Sequence, residues 1–316
     1  MPKILVTGGA GFIGSALAEK LILDKNNYVV IVDNLSTGDK GKLPDLPTTN
    51  WRFIKCDVNV LTDMAPIMTA YQFDYVFHFA ALVGVIRTQE NPVSVLKDID
   101  GIKNILSLSK NTTVKRIFFS SSSEIYGDPV EIPQNVYTTP LNSRLPYAIV
   151  KNVGEAFLKS YKQEYGLDYT IFRFFNTYGP KQSRDFVISK FILAATNDKN
   201  ITIYGDGKQT RTFCYVDDNV DACLKTFYNN QFVNDVINIG GNREFTILSL
   251  AETVIRLTRS KSKIVHVEPL KEGDMKRRQP DNSDMKLLLN KELIALEDGI
   301  KKILDIGLFE FLDTCV

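Results

Sequence analysis

Residues 3–14 read Lys3-Ile4-Leu5-Val6-Thr7-Gly8-Gly9-Ala10-Gly11-Phe12-Ile13-Gly14, and this stretch decides the fold. The apolar run Ile4 to Val6 is a buried strand. Gly8, Gly11 and Gly14 come next at i, i+3 and i+6. Phe12, Ile13, Ala16, Leu17 and Leu21 then repeat at helical spacing. Strand, tight turn and helix in this order bring backbone N–H groups up to a pyrophosphate. A side chain at Gly8 or Gly11 would hold the phosphates off. An ordinary glycine-rich turn is the competing explanation, and the placement between strand and helix argues against it.

Working outward, Tyr28 to Val32 is a second apolar strand with Asp33 at its end, 19 residues after Gly14. That is close to the ~20 residues expected of the carboxylate that takes the adenosine ribose hydroxyls. A carboxylate there repels a 2′-phosphate, and Asn34-Leu35-Ser36-Thr37-Gly38 supplies no arginine to receive one. The dinucleotide expected is NAD rather than NADP. The plainer alternative is an aspartate that caps a loop.

Strands and helices alternate to residue ~175, the pattern of an α/β, doubly wound parallel sheet of the Rossmann type. Further strands are expected at Trp51 to Cys56, Tyr75 to Phe79, Arg116 to Ser120 and Tyr169 to Phe174. Helices are expected at Leu61 to Tyr71, Pro92 to Lys110 and Tyr147 to Tyr165. Ligands bind beyond the carboxyl ends of such strands. Gly8, Asp33, Asp57, Ala80, Ser122 and Asn176 all fall there. Beyond Pro180 the elements shorten, with strands at Ile201 to Tyr204, Phe213 to Val216, Val236 to Ile239 and Ile264 to Val267. Helices at Phe186 to Asn197, Asp218 to Phe227 and Leu248 to Thr258 alternate with them. The expected division is a dinucleotide-binding domain over 1–180 and a smaller C-terminal α/β substrate-binding lobe over 181–316, some of whose segments return to the first.

The 316 residues are 44% hydrophobic and 24% charged, enough to bury a full core. A net charge of +1 gives no argument for a nucleic-acid or membrane partner. Cys56, Cys214, Cys223 and Cys315 lack metal-ligand spacing, and His78 and His266 add little, so no metal is expected. The chain opens on strand and turn without a signal-peptide pattern, and no apolar run reaches the ~18 residues of a membrane span. A cytoplasmic enzyme with reduced thiols is expected.

Tyr147-Ala148-Ile149-Val150-Lys151 places a phenol and an ammonium at i and i+4, on one face of a helix that Pro146 suits as its first turn. A phenol has a pKa near ~10 and is a poor base at neutral pH. A nearby lysine cation and the positive nicotinamide ring favour the phenolate. Tyr147 could then take a proton from a sugar hydroxyl while hydride leaves for the nicotinamide. Most such pairs merely decorate a surface; the dinucleotide turn upstream changes that weighting. Ser120 to Ser123 come after the fifth strand, where hydroxyls can bond a reacting hydroxyl or satisfy their own loop.

Taken together, the chain resembles an extended short-chain dehydrogenase/reductase of the nucleotide-sugar epimerase/dehydratase family, over essentially its whole length. The motifs are Thr7 to Gly14, Asp33-Asn34, Cys56-Asp57-Val58, His78-Phe79-Ala80-Ala81, Ser121 to Gly127, Tyr147 with Lys151, Arg173 to Pro180, Gln209 to Val216 and Gly273 to Asp281. The resemblance implies that Gly8, Gly11, Phe12, Ile13, Gly14, Asp33, Asn34, Asp57, Val58, Ala80, Ala81, Val83, Tyr147 and Lys151 hold NAD. It implies that Ser122, Tyr147, Lys151 and Glu124 carry catalysis. Ser123, Glu124, Asn176, Arg211 and Arg278 would bind a nucleotide sugar, with a UDP-sugar favoured, and arginine forks suit its diphosphate. One departure is Asp98, where the family usually has Asn.

Members of this family begin by oxidising the sugar C4 to a ketone, and they differ in the next step. Glucose-type 4,6-dehydratases carry Thr-Asp-Glu where this chain has Ser122-Ser123-Glu124, which weakens that class. UDP-glucuronate decarboxylases carry Thr-Ser-Glu and resemble Gln209 to Val216. The stretch Ala80 to Val85 resembles epimerases. The reading expected is an NAD-dependent nucleotide-sugar 4-epimerase, with UDP-glucuronate decarboxylase or 4,6-dehydratase as alternatives through Glu124. A non-catalytic NAD-binding module is the alternative from another class, and the intact Ser122, Tyr147 and Lys151 argue against it. Family resemblance also implies a homodimer through the helices Pro92 to Lys110 and Tyr147 to Tyr165.

Overall fold

A computed structural model describes residues 1–269 and 277–308, without the side chains of 85 and 86. Residues 273–276 of the last family motif, and Cys315, lie outside the described residues. The elements in chain order are β1 (Lys3–Thr7), α1 (Phe12–Leu23), β2 (Tyr28–Asp33), β3 (Trp51–Lys55), α2 (Leu61–Tyr71), β4 (Tyr75–His78), α3 (Val85–Glu90), α4 (Pro92–Leu96) and α5 (Asp98–Lys110). Next come β5 (Arg116–Ser122), α6 (Pro146–Tyr165), β6 (Asp168–Phe174), β7 (Thr177–Tyr178), α7 (Val187–Thr196), β8 (Ile201–Tyr204), β9 (Thr210–Thr212), β10 (Cys214–Tyr215) and α8 (Val216–Tyr228). The last are β11 (Asp235–Ile239), β12 (Glu244–Thr246), α9 (Ile247–Thr258), β13 (Ile264–Val267), α10 (Ser283–Leu289) and α11 (Leu296–Ile306).

Seven strands form one sheet in the order β3-β2-β1-β4-β5-β6-β11, every pair parallel. Side chains alternate between its faces. Leu5, Val30, Val32, Val76 and Ile117 pack with Met64 of α2, Ile105 of α5 and Leu158 of α6. Ile4, Val6, Val29, Ile31, Phe77 and Phe118 pack on the other side with Leu17 of α1 and Val220 of α8. Both faces are covered, so the strands read as apolar runs rather than as polar–apolar alternation. The order reverses between β1 and β4, where the chain winds one way through β2 and β3 and the other way through β5 and β6. A crevice opens at such a switch point.

Two details go beyond the sequence expectations. The helix expected over Pro92 to Lys110 is broken: α4 ends at Leu96, and α5 restarts at Asp98. The strand at Asp235–Ile239, whose sheet the sequence reading left open, pairs with β6 as the seventh strand. Its run of buried apolar residues is the same in either sheet, so the sequence pattern cannot choose its partner. The remaining short strands pair two by two: β7 with β10, β8 with β13, β9 with β12.

Candidate active site

The crevice between β1 and β4 is a cleft of about 1220 Å³. Its floor is the glycine turn. Gly8 has φ +68°, and a Cβ there would lie 2.6 Å from the Ala80 nitrogen. A Cβ on Gly14 would lie 2.3 Å from the Gly8 carbonyl oxygen. The turn is therefore closed to side chains at both ends, leaving α1 to start at Phe12 with its N–H groups facing the cleft edge. Asp33 stands at the end of β2, and its carboxylate accepts from Ala10 N at 3.0 Å and Leu35 N at 2.8 Å. Burial raises its pKa and these two N–H groups oppose the rise. The neighbouring Lys42 is also buried, which pulls its pKa down to about 8. Asn34 donates to Asp57 at 3.1 Å, joining the ends of β2 and β3. A glycine cradle ending beside a carboxylate at the end of β2 fits a dinucleotide.

Gly8, Gly11, Phe12, Ile13, Gly14, Asp33, Asn34, Asp57, Val58, Ala80, Ala81 and Val83 all line this cleft. So do Ser122, Ser123, Glu124, Tyr147, Asn176 and Arg278. Two of the residues singled out from sequence do not. Lys151 lies behind the lining, 2% exposed, and donates to Ser120 Oγ at 3.4 Å. Arg211 sits on β9, where its guanidinium donates to the Thr210 carbonyl at 2.8 Å.

Helix α6 starts with Pro146 at its first turn, so Tyr147 reaches the cleft and Lys151 lies one turn further on. The Lys151 ammonium lies 5.7 Å from the Tyr147 ring centroid and 5.1 Å from that of Phe119. Burial pushes the Tyr147 phenol up, the charges of Glu124 and Asp98 add to the rise, and a hydrogen bond with Ser122 opposes it. Burial draws the Lys151 ammonium down to about 8, against the pull of Asp98. The expected direct help from Lys151 is thus outweighed at Tyr147 by desolvation and two carboxylates.

Strand β5 runs to Ser122, two residues further than its apolar pattern suggests, and Ser122 Oγ caps the next turn by accepting Glu124 N at 3.1 Å. Glu124 is then ion-paired to Arg278 at 2.9 Å. Arg278 arrives from far along the chain because its segment is clipped to the loop after β5. Gln134 N donates to the Gln279 carbonyl at 2.8 Å, and Asp281 N to the Gln134 carbonyl at 2.8 Å. Asn176 spends one amide N–H on the Thr212 carbonyl at 3.0 Å.

Sequence reading passed over Asn59 and assigned no particular partner to Thr7 or Ser120. Thr7 Oγ1 accepts from Phe79 N and Ala80 N, and lies 2.8 Å from His78 Nδ1, which orders the start of the Ala80 loop. Asn59 donates to Asp98 at 3.4 Å and accepts from Gly101 N at 3.0 Å. Ser120 receives Lys151. A polar residue just past a strand's carboxyl end is the signal that Asn59 carried.

A family model described as "NAD dependent epimerase/dehydratase family" matches residues 4–240. The chain belongs to that family. Its cofactor is NAD. UDP-glucuronic acid decarboxylase 6 of Arabidopsis thaliana is 36% identical, over 94% of this chain and 86% of the relative. The crystal structure of a Thermotoga maritima UDP-glucose 4-epimerase with UDP-glucose superposes with a TM-score of 0.89 at 34% identity, covering 96% of this chain and 97% of the other. A Bacillus cereus UDP-glucuronic acid 4-epimerase, solved with UDP-glucuronic acid and NAD, has a TM-score of 0.87 at 28% identity, covering 96% of this chain and 100% of the other. Isomerases and lyases therefore both stand among the relatives, and the family's activity is carried on UDP-sugars by either route. Among the described residues no helix is long and apolar enough to cross a membrane.

Proposed function

We propose that this protein is a UDP-sugar 4-epimerase acting on a neutral sugar through transient oxidation at C4. The observation that carries this reading is the state of Glu124. Its Oε1 is ion-paired with Arg278, while its Oε2 is buried and accepts no hydrogen bond among the described residues. A buried acceptor without a partner costs about 1–3 kcal/mol. A sugar hydroxyl would donate to it once the side chain turns Oε2 out to the cleft that Glu124 lines. The C5 carboxylate of a uronic acid cannot, and it would set a second anion beside Glu124 where Arg278 already neutralises one.

In this reading Tyr147 takes the C4 hydroxyl proton, with Ser122 bonded to the same oxygen. Lys151 supplies positive charge behind the phenol. Asn176 and Arg278 hold the substrate, while Arg211 stands on β9 outside the cleft lining. Gly8, Gly11, Gly14 and Asp33 would hold NAD, which would supply a hydride acceptor for C4 and positive charge in the cleft that Tyr147 lines. The exposed apolar side chains Val93 and Leu96 of α4 and Ile149 of α6 support a homodimer through these helices; a single species of monomer mass in solution would remove that part.

Arg278 favours one second reading, a UDP-glucuronate decarboxylase, because its guanidinium in the cleft could take a carboxylate from Glu124. The deciding experiment is incubation with a panel of nucleotide sugars in D₂O, read by NMR. Epimerisation of a neutral UDP-hexose without deuterium on carbon is expected, and Glu124→Gln should keep most of that activity. Carbon dioxide release from UDP-glucuronate, or deuterium at C5, would overturn the epimerase.

A further inference from the structure

Behind the cleft, buried polar side chains from separate segments join in one continuous line of hydrogen bonds. Glu155 of α6 stands two turns beyond Tyr147, on the helix face that also carries Lys151. Arg173 of β6 grips its carboxylate with both arms, Nη2 on Oε2 at 2.7 Å and Nε on Oε1 at 3.0 Å. Ser121 of β5 donates its hydroxyl to the same Oε1 at 2.6 Å. Arg173 Nη1 then donates to the Tyr126 hydroxyl at 2.9 Å and to the Val136 carbonyl at 3.3 Å. Tyr126 donates in turn to Asn238 Oδ1 of β11 at 2.8 Å. Asn238 Nδ2 reaches the Gln134 carbonyl at 2.9 Å and the Asp281 carbonyl at 3.2 Å.

Chemistry fixes the direction of each bond in this line. A guanidinium only donates, so the Tyr126 oxygen accepts from Arg173 and its own proton is left for Asn238 Oδ1. With its oxygen so taken, the Asn238 amide turns its NH₂ to the two carbonyls. Those carbonyls belong to the clip that carries Arg278. Gln134 N bonds the Gln279 carbonyl and Asp281 N bonds the Gln134 carbonyl, and Arg278, next to Gln279, meets Glu124 at 2.9 Å. A buried ion pair such as Glu155–Arg173 often contributes no net stability over apolar side chains of the same volume, whereas its fork geometry fixes how its partners stand. Tyr126, Glu155, Arg173 and Asn238 all stand outside the cleft lining, so they act on a substrate only through other groups.

We propose that Tyr126 and Asn238 are positioning residues for substrate binding: the line from Glu155 through Arg173 and Tyr126 orients the Asn238 amide, and that amide holds the clip that sets Arg278 in the cleft. The proposal rests on the reading of Arg278 as a substrate-binding residue. One end of the line is anchored on α6, the helix of Tyr147, and the other on the segment of Arg278. It therefore fixes where the substrate is held relative to the group that takes its proton.

The test is Tyr126→Phe, which removes one hydroxyl, keeps the ring and adds no charge. Asn238→Asp is the second variant: it still accepts from Tyr126 but offers no N–H to the two carbonyls, and it decides the matter if the first fails to fold. In each, KM for a nucleotide sugar should rise about tenfold, the scale of one or two lost hydrogen bonds, with kcat and NAD affinity near those of the parent. In an Arg278→Ala background neither variant should raise KM further. Lower stability to urea with KM unmoved would mark the line as a support of the fold alone and overturns the proposal. So does a KM rise of the same size without Arg278, or a fall in kcat with KM unmoved. If the wild type turns over no nucleotide sugar, or Arg278→Ala leaves KM unchanged, the substrate reading of Arg278 fails. The hold of the line on Arg278 is then read from urea unfolding, where the losses from Tyr126→Phe and Arg278→Ala should be less than additive; full additivity overturns it.

Discussion

A phenol buried beside two carboxylates resists ionisation, and Tyr147 is placed among Glu124, Asp98 and the Ser122 hydroxyl. Such a group works as a base only when positive charge is brought to it, which ties proton removal to the presence of the oxidised cofactor and of Lys151. Tyr147→Phe keeps the ring and the packing and removes the proton acceptor. Sugar oxidation should fall by ~10²-fold or more, the scale of a lost general base, with an unchanged circular-dichroism spectrum and melting temperature. A near-normal rate would take Tyr147 out of the chemistry. This pair was legible in the sequence because i and i+4 share a helix face whatever the helix packs against. The strength of the opposing carboxylates was not, because Asp98 and Glu124 reach Tyr147 from other elements.

At the scale of elements, α6 must lie close on β5 for Lys151 to reach Ser120. Gly154 makes this possible: a Cβ there would stand 2.4 Å from Cζ of Phe119, a side chain locked in the core. Gly154→Ala should push α6 away from the sheet, lowering stability by about 1–3 kcal/mol, the usual cost of overpacking. It should also cut activity more than stability alone explains, because Lys151 moves with the helix. Chemical denaturation and turnover on the same preparation check both; a variant as stable and active as the parent would show that the contact relaxes freely. The break between α4 and α5 belongs to this scale too. Pro92 reads as a helix start and the apolar spacing continues to Lys110, so one helix is the natural sequence reading. The restart at Asp98 brings that carboxylate to Leu82 and the cleft.

For the whole molecule, His78 couples the site to acid stability. It is buried on β4 between Thr7 and Phe119, and burial holds it neutral with a pKa lowered to about 3. The unfolded imidazole binds a proton near 6.5. The stability this group contributes is complete above pH 6.5 and is lost as pH falls toward 3, where the unfolded chain holds the extra proton. The slope in that window should reach ~1.4 kcal/mol per pH unit. Urea unfolding at several pH values measures it. His78→Asn keeps a polar partner for Thr7 and should flatten the dependence; an equally steep variant would assign the slope to other groups.

What the sequence by itself determined is whatever short-range spacing dictates. The strand–turn–helix at 3–23, the carboxylate at the end of the second strand, the Tyr147–Lys151 face and the parallel α/β class come from periods of two and 3.6 residues and from glycines at fixed offsets. Tertiary structure alone decided the pairing of Glu124 with Arg278, 154 residues apart, the contact of Asp98 with Leu82 N, the pairing of β11 with β6 and the place of Arg211 outside the cleft lining. Each depends on which distant segment packs on which, and that is settled by summed burial and chain connectivity over the whole molecule rather than by any local pattern.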